Sequence, residues 1–242
     1  MKLGRFSAIH APIQRIYKKP ATVAAGPTLV YDLDAANYSA VPTNASTVAG
    51  TGAYTITVAN AGSRLGWSAT NGGIFTFTGA GTSTTDYMYG GPNWVTGQSY
   101  TVFMAYQRTN VANGRLLNTQ NEASKDWLMG LYNGNPDTFY PNISVNLPAS
   151  GADLVWHFGW ATWNTSTNVG QLYTATSSQP TSTSFTTTNA GGGGFNQLRL
   201  FSRSSGSEVQ TGNIGFVKVY NGVLTLAQVQ ALHATYKTRF GY

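Results

Sequence analysis

From Thr28 to Tyr220 the chain is a succession of short runs of β-branched and aromatic residues, with no stretch of helical periodicity between them. The runs are TLVYDLD (28–34), AYTITV (53–58), GIFTFT (73–78), TDYMYG (85–90), SYTVFMAYQR (99–108), GRLLNT (114–119), DWLMGLY (126–132), YPNISVN (140–146), DLVWHFGWATW (153–163), VGQLYTA (169–175), NQLRLFSR (196–203) and IGFVKVY (214–220). Clusters of Gly, Asn, Ser and Pro separate them at hairpin-like spacing. Parallel strands need long crossovers, usually helices. The succession therefore predicts antiparallel sheets packed face to face, an all-β jelly-roll sandwich. Within 153–163 the alternation puts Leu154, Trp156, Phe158 and Trp160 on one face, and Val155, His157, Ala161 and Trp163 on the other. The polar, low-complexity stretch 174–194 reads as a long exposed loop or hairpin tip.

Only the end of the chain reads as helix. Asn221-Gly222 supplies a turn after the last strand. Thr225 and Gln228 have the spacing of a capping box, and Leu226, Val229, Leu232 and Tyr236 form an apolar stripe. Lys237 and Arg239 are placed to favour the helix dipole, with Gly241 beyond them. Such a helix should pack across the sandwich.

The beginning is different. Residues 1–27 are broken by Pro12, Pro20 and Pro27, and they carry Lys2, Arg5, Arg15, Lys18 and Lys19 before the first acid, Asp32. The net charge is +6. Those five residues account for most of it, leaving nine basic against eight acidic residues beyond. The division predicts a cationic docking arm (1–27) ahead of a nearly neutral domain (28–242). The arm also holds Leu3, Phe6, Ile9, Ile13, Ile16 and Tyr17, apolar groups that disordered leaders usually lack. Exposed ion pairs contribute about 0–1 kcal/mol each, whereas burying a large apolar side chain contributes about 1.5–3 kcal/mol. Charge is expected to orient the arm on a partner and the apolar groups to hold it. Five charges on a short arm do not make the basic groove of a nucleic-acid binder, and Gly4 and Pro12 interrupt any membrane-surface helix. No stretch approaches the length of a membrane span, and the start lacks the apolar run of a signal peptide; a soluble, cytoplasmically made chain is expected.

Three motifs carry a resemblance. The closing strand, YNGVLT and a short helix resemble the end of concanavalin A-like, laminin-G-like jelly rolls. LVYDLDAANYSAVP is similar to that family's first strand and its Asp-x-x-Asn-x-Ser turn. NGGIFTFTGAGTSTTDYMYG resembles the hairpin that follows, with Phe77 in the aromatic position and Thr78 where many members have an acid. The chain, with its TRFGY end, resembles laminin-G-like proteins of tailed bacteriophage particles. The resemblance implies a virion structural protein, preferably a capsid decoration or cement protein, assembled in the host cytoplasm. Its expected partners are the major capsid protein or another virion subunit, further copies of itself (a trimer among the options) and a host-surface glycan. Neither nucleic acid nor membrane is expected as a partner.

The same fold hosts lectins and glycosidases, so the chemistry must be weighed separately. The glycosidases sharing this fold usually show a Glu-x-Asp-x-x-Glu strand, which this chain lacks. Asp32 and Asp34 share a strand face, yet Asp34 also begins the turn DAANYS, where an Asx turn explains it. Asp32, Asp34, Asp86 and Asp137 are the oxygen donors for a structural calcium, but no dense acidic loop gathers them. Glu122, Asp126, Asp153 and Glu208 are scattered, and His10, His157 and His233 form no metal or triad set. There are no cysteines. Neither catalytic activity, nor a cofactor, nor a metal site is expected. Sugar binding is the alternative: Trp156, Trp160 and Tyr132 are its candidates within a wider supply including Trp67, Trp94, Trp127 and Trp163. Aromatics alternating on a sandwich strand are more often core, the reading preferred for Trp156 and Trp160.

Overall fold

The computed structural model describes residues 26–79, 84–94, 98–110, 114–120, 127–132, 135–141, 154–183, 185–188 and 194–242. Its strands are β1 (Thr28–Asp34), β2 (Ile56–Asn60), β3 (Leu65–Ser68), β4 (Ile74–Phe77), β5 (Asp86–Trp94), β6 (Tyr100–Arg108) and β7 (Gly114–Thr119). They continue with β8 (Trp127–Tyr132), β9 (Asn135–Pro141), β10 (Trp156–Asn164), β11 (Val169–Ala175), β12 (Phe185–Thr188), β13 (Phe195–Leu200) and β14 (Gly212–Asn221). A single helix, α1 (Leu226–Tyr236), follows, and a 3-10 turn (Lys237–Phe240) prolongs it. One sheet has the order β12-β11-β10-β6-β14-β4-β3, with β1 also on β14; the other has the order β2-β5-β13-β7-β8-β9. The named strand pairs are antiparallel, and the protein is an all-β sandwich.

The last strand organises the larger sheet. β14 pairs with β6 from Gly212 to Tyr220 along one edge. Its other edge is shared: Gly212–Ile214 pair with β4, and Phe216–Asn221 pair with β1. A seam between β1 and β4 therefore opens beside Gly215. Gly73, at φ +125°, turns the chain into β4 there, and a Cβ at this position would lie 2.5 Å from the Ala35 carbonyl oxygen. Only glycine fits that approach.

Strand alternation then builds two cores. Tyr100, Val102, Met104 and Tyr106 of β6 join Ala161 and Trp163 of β10 between the sheets, against Met88, Trp127, Phe139, Leu198 and Leu200 of the other sheet. The intervening residues Phe103, Ala105, Trp156, Phe158, Trp160, Phe216 and Tyr220 point to the opposite face, where α1 and the C-terminal residues cover them. Phe103 stacks on Trp160 (centroids 4.6 Å, 6° between planes) and meets Phe216 and Tyr236 edge-on. The expected alternation along β10 holds. Both faces of this sheet's centre are thus dry, and each large side chain buried there contributes about 1.5–3 kcal/mol.

The helix forms as its local code requires. Thr225 Oγ1 accepts from Gln228 N and Gln228 Oε1 accepts from Thr225 N, a complete capping box. Val229 is buried, with Leu226, Leu232 and Tyr236 packed against the same cluster. His233 is also buried, and its Nε2 donates to the Thr176 carbonyl at 2.7 Å. Gln230 Nε2 donates to the Pro180 carbonyl. The polar stretch expected as an exposed loop is therefore partly clamped by the helix, and its residues 185–188 form β12 on β11. Of the run YPNISVN only Tyr140 and Pro141 are described; they end β9, which begins at Asn135.

Candidate functional site

The acids that share a strand face come together with two cations instead of an open cleft. Asp32 lies opposite Lys218 in the β1–β14 register, and Lys218 Nζ donates to Asp32 Oδ1 and to Asp34 Oδ2. Asp34 Oδ1 accepts from Ala36 N at 2.9 Å, the Asx turn anticipated from DAANYS, and from Arg239 Nη1 at 2.7 Å. Lys218 is 2% exposed, and its ammonium also lies over the Phe216 and Tyr236 rings. Burial alone would lower its pKa. The hydrogen bond and charge of Asp32, with Tyr236 and Asp34 adding to them, outweigh that effect and raise it above the ordinary lysine value. Two carboxylates and two cations neutralise one another here, an arrangement suited to holding strands together. Arg239, expected near the end of the helix, lies in the 3-10 turn that prolongs α1. Its guanidinium donates to the carbonyls of Asn71, Gly73 and Gly215 as well as to Asp34, closing the seam between β1 and β4.

The remaining acids and histidines are dispersed. Asp86 Oδ1 accepts from Gly62 N, and Glu208 pairs with Arg115 and Arg203. His157 stacks on Tyr106 at 5.4 Å. Among the described residues no three metal-ligating side chains cluster. Glu122, Asp126 and Asp153 lie outside the described residues, as does the side chain of Asp137.

The sugar-binding candidates are also redistributed. Trp160 is 0% exposed and Trp156 is 8% exposed, both beneath the C-terminal segment, with Trp156 against Phe240 at 4.5 Å. Their ring faces are spent on packing, a correction to their candidacy as glycan platforms. Tyr132 ends β8, and its side chain lies outside the described residues. So do all the arm candidates: Lys2, Leu3, Arg5, Phe6, Ile9, Ile13, Arg15, Ile16, Tyr17, Lys18 and Lys19. Tyr87 and Tyr89 are half-buried and stacked on each other, with Arg199 over Tyr87.

Among the described residues, Trp94 lines a groove. An open groove of about 420 Å³ lies where the ends of β5, β6, β14 and β1 converge, lined by Val30, Trp94, Gln98, Ser99, Asn221 and Gly222. Trp94 is half-buried, packing against Tyr100 and Phe195. Asn221 Oδ1 accepts from Thr28 N at 2.6 Å, and Ser99 Oγ accepts from Thr165 N at 3.0 Å. Pattern alone gave no reason to separate Trp94 from the other five tryptophans. It ends a strand, and its place in the groove follows from four strand ends meeting, which no local motif encodes.

No family model matches the sequence, and no curated protein matches it. Solved structures do resemble the fold. The binding domain of Paraclostridial Mosquitocidal Protein 1 matches with a TM-score of 0.60 at 11% identity, over 86% of this chain and 52% of that one. A Trypanosoma rangeli sialidase in complex with 2,3-difluorosialic acid matches with a TM-score of 0.61 at 13% identity, over 89% and 34%. Domain 4 of AbnA, a GH43 extracellular arabinanase from Geobacillus stearothermophilus, in complex with arabinotriose, matches with a TM-score of 0.55 at 14% identity, over 85% and 98%. The chain spans about half of the toxin binding domain and about a third of the sialidase, but nearly all of the arabinanase domain. At these identities the likeness is one of fold, and the fold is the β-sandwich expected from the strand pattern.

Proposed function

We propose that this protein is a non-enzymatic structural protein of tailed-bacteriophage particles, a capsid decoration or cement protein held by residues 1–27 and displaying its sandwich outward. The observation that carries the non-enzymatic part is the fate of Asp32 and Asp34. The acids sharing a strand face are bound to Lys218 and Arg239, so neither is positioned as the acid or nucleophile of glycoside hydrolysis. The attachment part rests on the segregation of charge: five cations and six large apolar residues in the arm, against a nearly neutral remainder. The test is co-sedimentation with particles of the encoding phage that lack this protein. The full chain should bind them. A chain of residues 28–242 should fold, as judged by a cooperative thermal transition, and fail to bind. Equal binding by both chains would defeat the attachment.

A second reading, a glycan-recognising adhesin or tail component, is favoured by a separate observation. The aromatic groove at Trp94 lies in a sandwich resembling one that was solved in complex with arabinotriose. The two readings are compatible, since a particle surface protein can also recognise an envelope glycan. Saturable binding on a glycan array would establish the second, and its absence for the wild-type chain would remove it.

A further inference from the structure

We infer that the groove lined by Trp94, Gln98, Ser99 and Asn221 is a binding site for a neutral sugar, with the Trp94 indole as its stacking surface; this inference rests on the glycan-recognition reading. The argument begins with what holds the indole. Trp94 packs at 5.9 Å from Tyr100 and 5.8 Å from Phe195, both fully buried rings, so its position is set by the core. It nevertheless lines an open groove. An indole anchored by packing and presented to solvent offers an apolar platform at little entropic cost, which suits the C–H face of a pyranose or furanose ring.

The polar groups around it are oriented before any ligand arrives. Asn221 Oδ1 is engaged by Thr28 N, which leaves its Nδ2 hydrogens as donors. Ser99 Oγ is engaged as an acceptor by Thr165 N, which leaves its O–H to donate. Trp94 Nε1 is a further donor with no acceptor among the described residues, and Gln98 is exposed, with both amide functions available. The lining therefore presents several donors and few acceptors, complementary to sugar hydroxyl and ring oxygens.

The same lining defines the kind of sugar. Among the described residues it contains no Arg, Lys, Asp or Glu, so none of them pairs with the carboxylate of a sialic or uronic acid. A site made of one indole, two amides and a hydroxyl selects neutral hexoses or pentoses, and binding to it should vary little with salt. Its position matters too. The donor of the Thr28–Asn221 hydrogen bond belongs to the first residue of β1, so the groove sits where the arm joins the sandwich.

The experiment is isothermal titration calorimetry of the full chain against a panel of neutral oligosaccharides containing glucose, galactose, N-acetylglucosamine or arabinose, with sialylated counterparts. Trp94→Ala, Trp94→Phe and Gln98→Ala are run beside the wild type. The expected result is saturable binding to at least one neutral oligosaccharide, unchanged by sialic acid addition and by salt. Affinity should fall about tenfold or more in Trp94→Ala and less in Gln98→Ala. Should Trp94→Ala fail to fold, Trp94→Phe and Gln98→Ala carry the test, because neither opens a large cavity. Wild-type affinity in the folded variants would overturn this site and leave the glycan reading standing. Absence of saturable binding by the wild type would overturn both.

Discussion

At the scale of single residues, Arg239 is the side chain with the most consequences. A sheet in which one strand edge is shared by two partners has to be closed where those partners meet. Here the guanidinium reaches that seam with Nε on Asn71 O, Nη1 on Asp34 Oδ1, and Nη2 on Gly73 O and Gly215 O. Lysine has the charge but not the planar fork, so it cannot satisfy these acceptors together. Arg239→Lys is expected to destabilise the protein by about 1–3 kcal/mol, the cost of leaving buried acceptors unmatched. Arg239→Ala should cost about 3–5 kcal/mol, because Asp34 then keeps only part of its compensation. Urea unfolding monitored by circular dichroism measures both values. A change below about 0.5 kcal/mol in Arg239→Ala, the range of an ordinary surface substitution, would show that the seam does not depend on it. Asp34→Asn is the companion substitution, chosen because Asp34 would otherwise be the candidate acid. It should lower stability while leaving any glycan binding at the Trp94 groove unchanged. Loss of glycan binding at full stability would place Asp34 in a ligand site after all.

At the scale of elements, α1 shows what local sequence can and cannot specify. Its start was legible because a capping box is a reciprocal pair of hydrogen bonds at fixed spacing, and its inner face because Leu226, Val229, Leu232 and Tyr236 repeat at helical period. Thr225→Ala should cost about 1 kcal/mol, the usual worth of an N-cap side chain, and lower the thermal midpoint accordingly. An unchanged midpoint would mean that packing alone sets the helix start. His233 was not legible as a packing residue, since nothing in its surroundings on the chain points to the Thr176 carbonyl, 57 residues away. The strands divide in the same way. β1, β7 and β11 coincide with their apolar runs, because alternation and flanking turns act within a few residues. β3 is four residues long and contains Gly66, while β12 lies inside a Ser/Thr-rich stretch; pairing with β4 and β11 defines them, and their own composition does not. The groove was illegible for the same reason. Trp94, Ser99 and Asn221 are brought together by strand order, which a pattern of runs leaves open.

At the scale of the whole molecule, the buried phenols and the Lys218 ammonium make a statement about pH. Burial raises the phenol pKa of Tyr31, with Tyr38 and Asp32 adding to the effect, and it raises Tyr220, with Tyr236 and Asp32 adding there. Burial also raises Tyr100, partly offset by the hydrogen bond from Trp127 Nε1. Lys218 is raised as well: burial acts against its charge, but Asp32 and its neighbours prevail. All four groups keep their protons in the folded state at pH values where the unfolded chain has begun to lose them. Below the unfolded values of about 10, both states are protonated, the stability linked to these groups is fully present, and it does not vary with pH. Between those values and the higher folded ones the unfolded chain binds fewer protons, so stability falls as pH rises. The thermal midpoint should therefore change little from pH 8 to 9.5 and drop steeply above pH 10. Each group adds up to about 1.4 kcal/mol per pH unit to that slope. Tyr220→Phe removes one titrating phenol while keeping the ring that packs beneath α1, so its alkaline slope should be shallower than that of the wild type. Differential scanning calorimetry at half-unit steps from pH 8 to 11 gives both curves. A wild-type midpoint at pH 11 equal to that at pH 9 would mean that these phenols and the Lys218 ammonium ionise in the folded state as freely as in the unfolded one, and the description of a dry, doubly covered sheet would then be wrong.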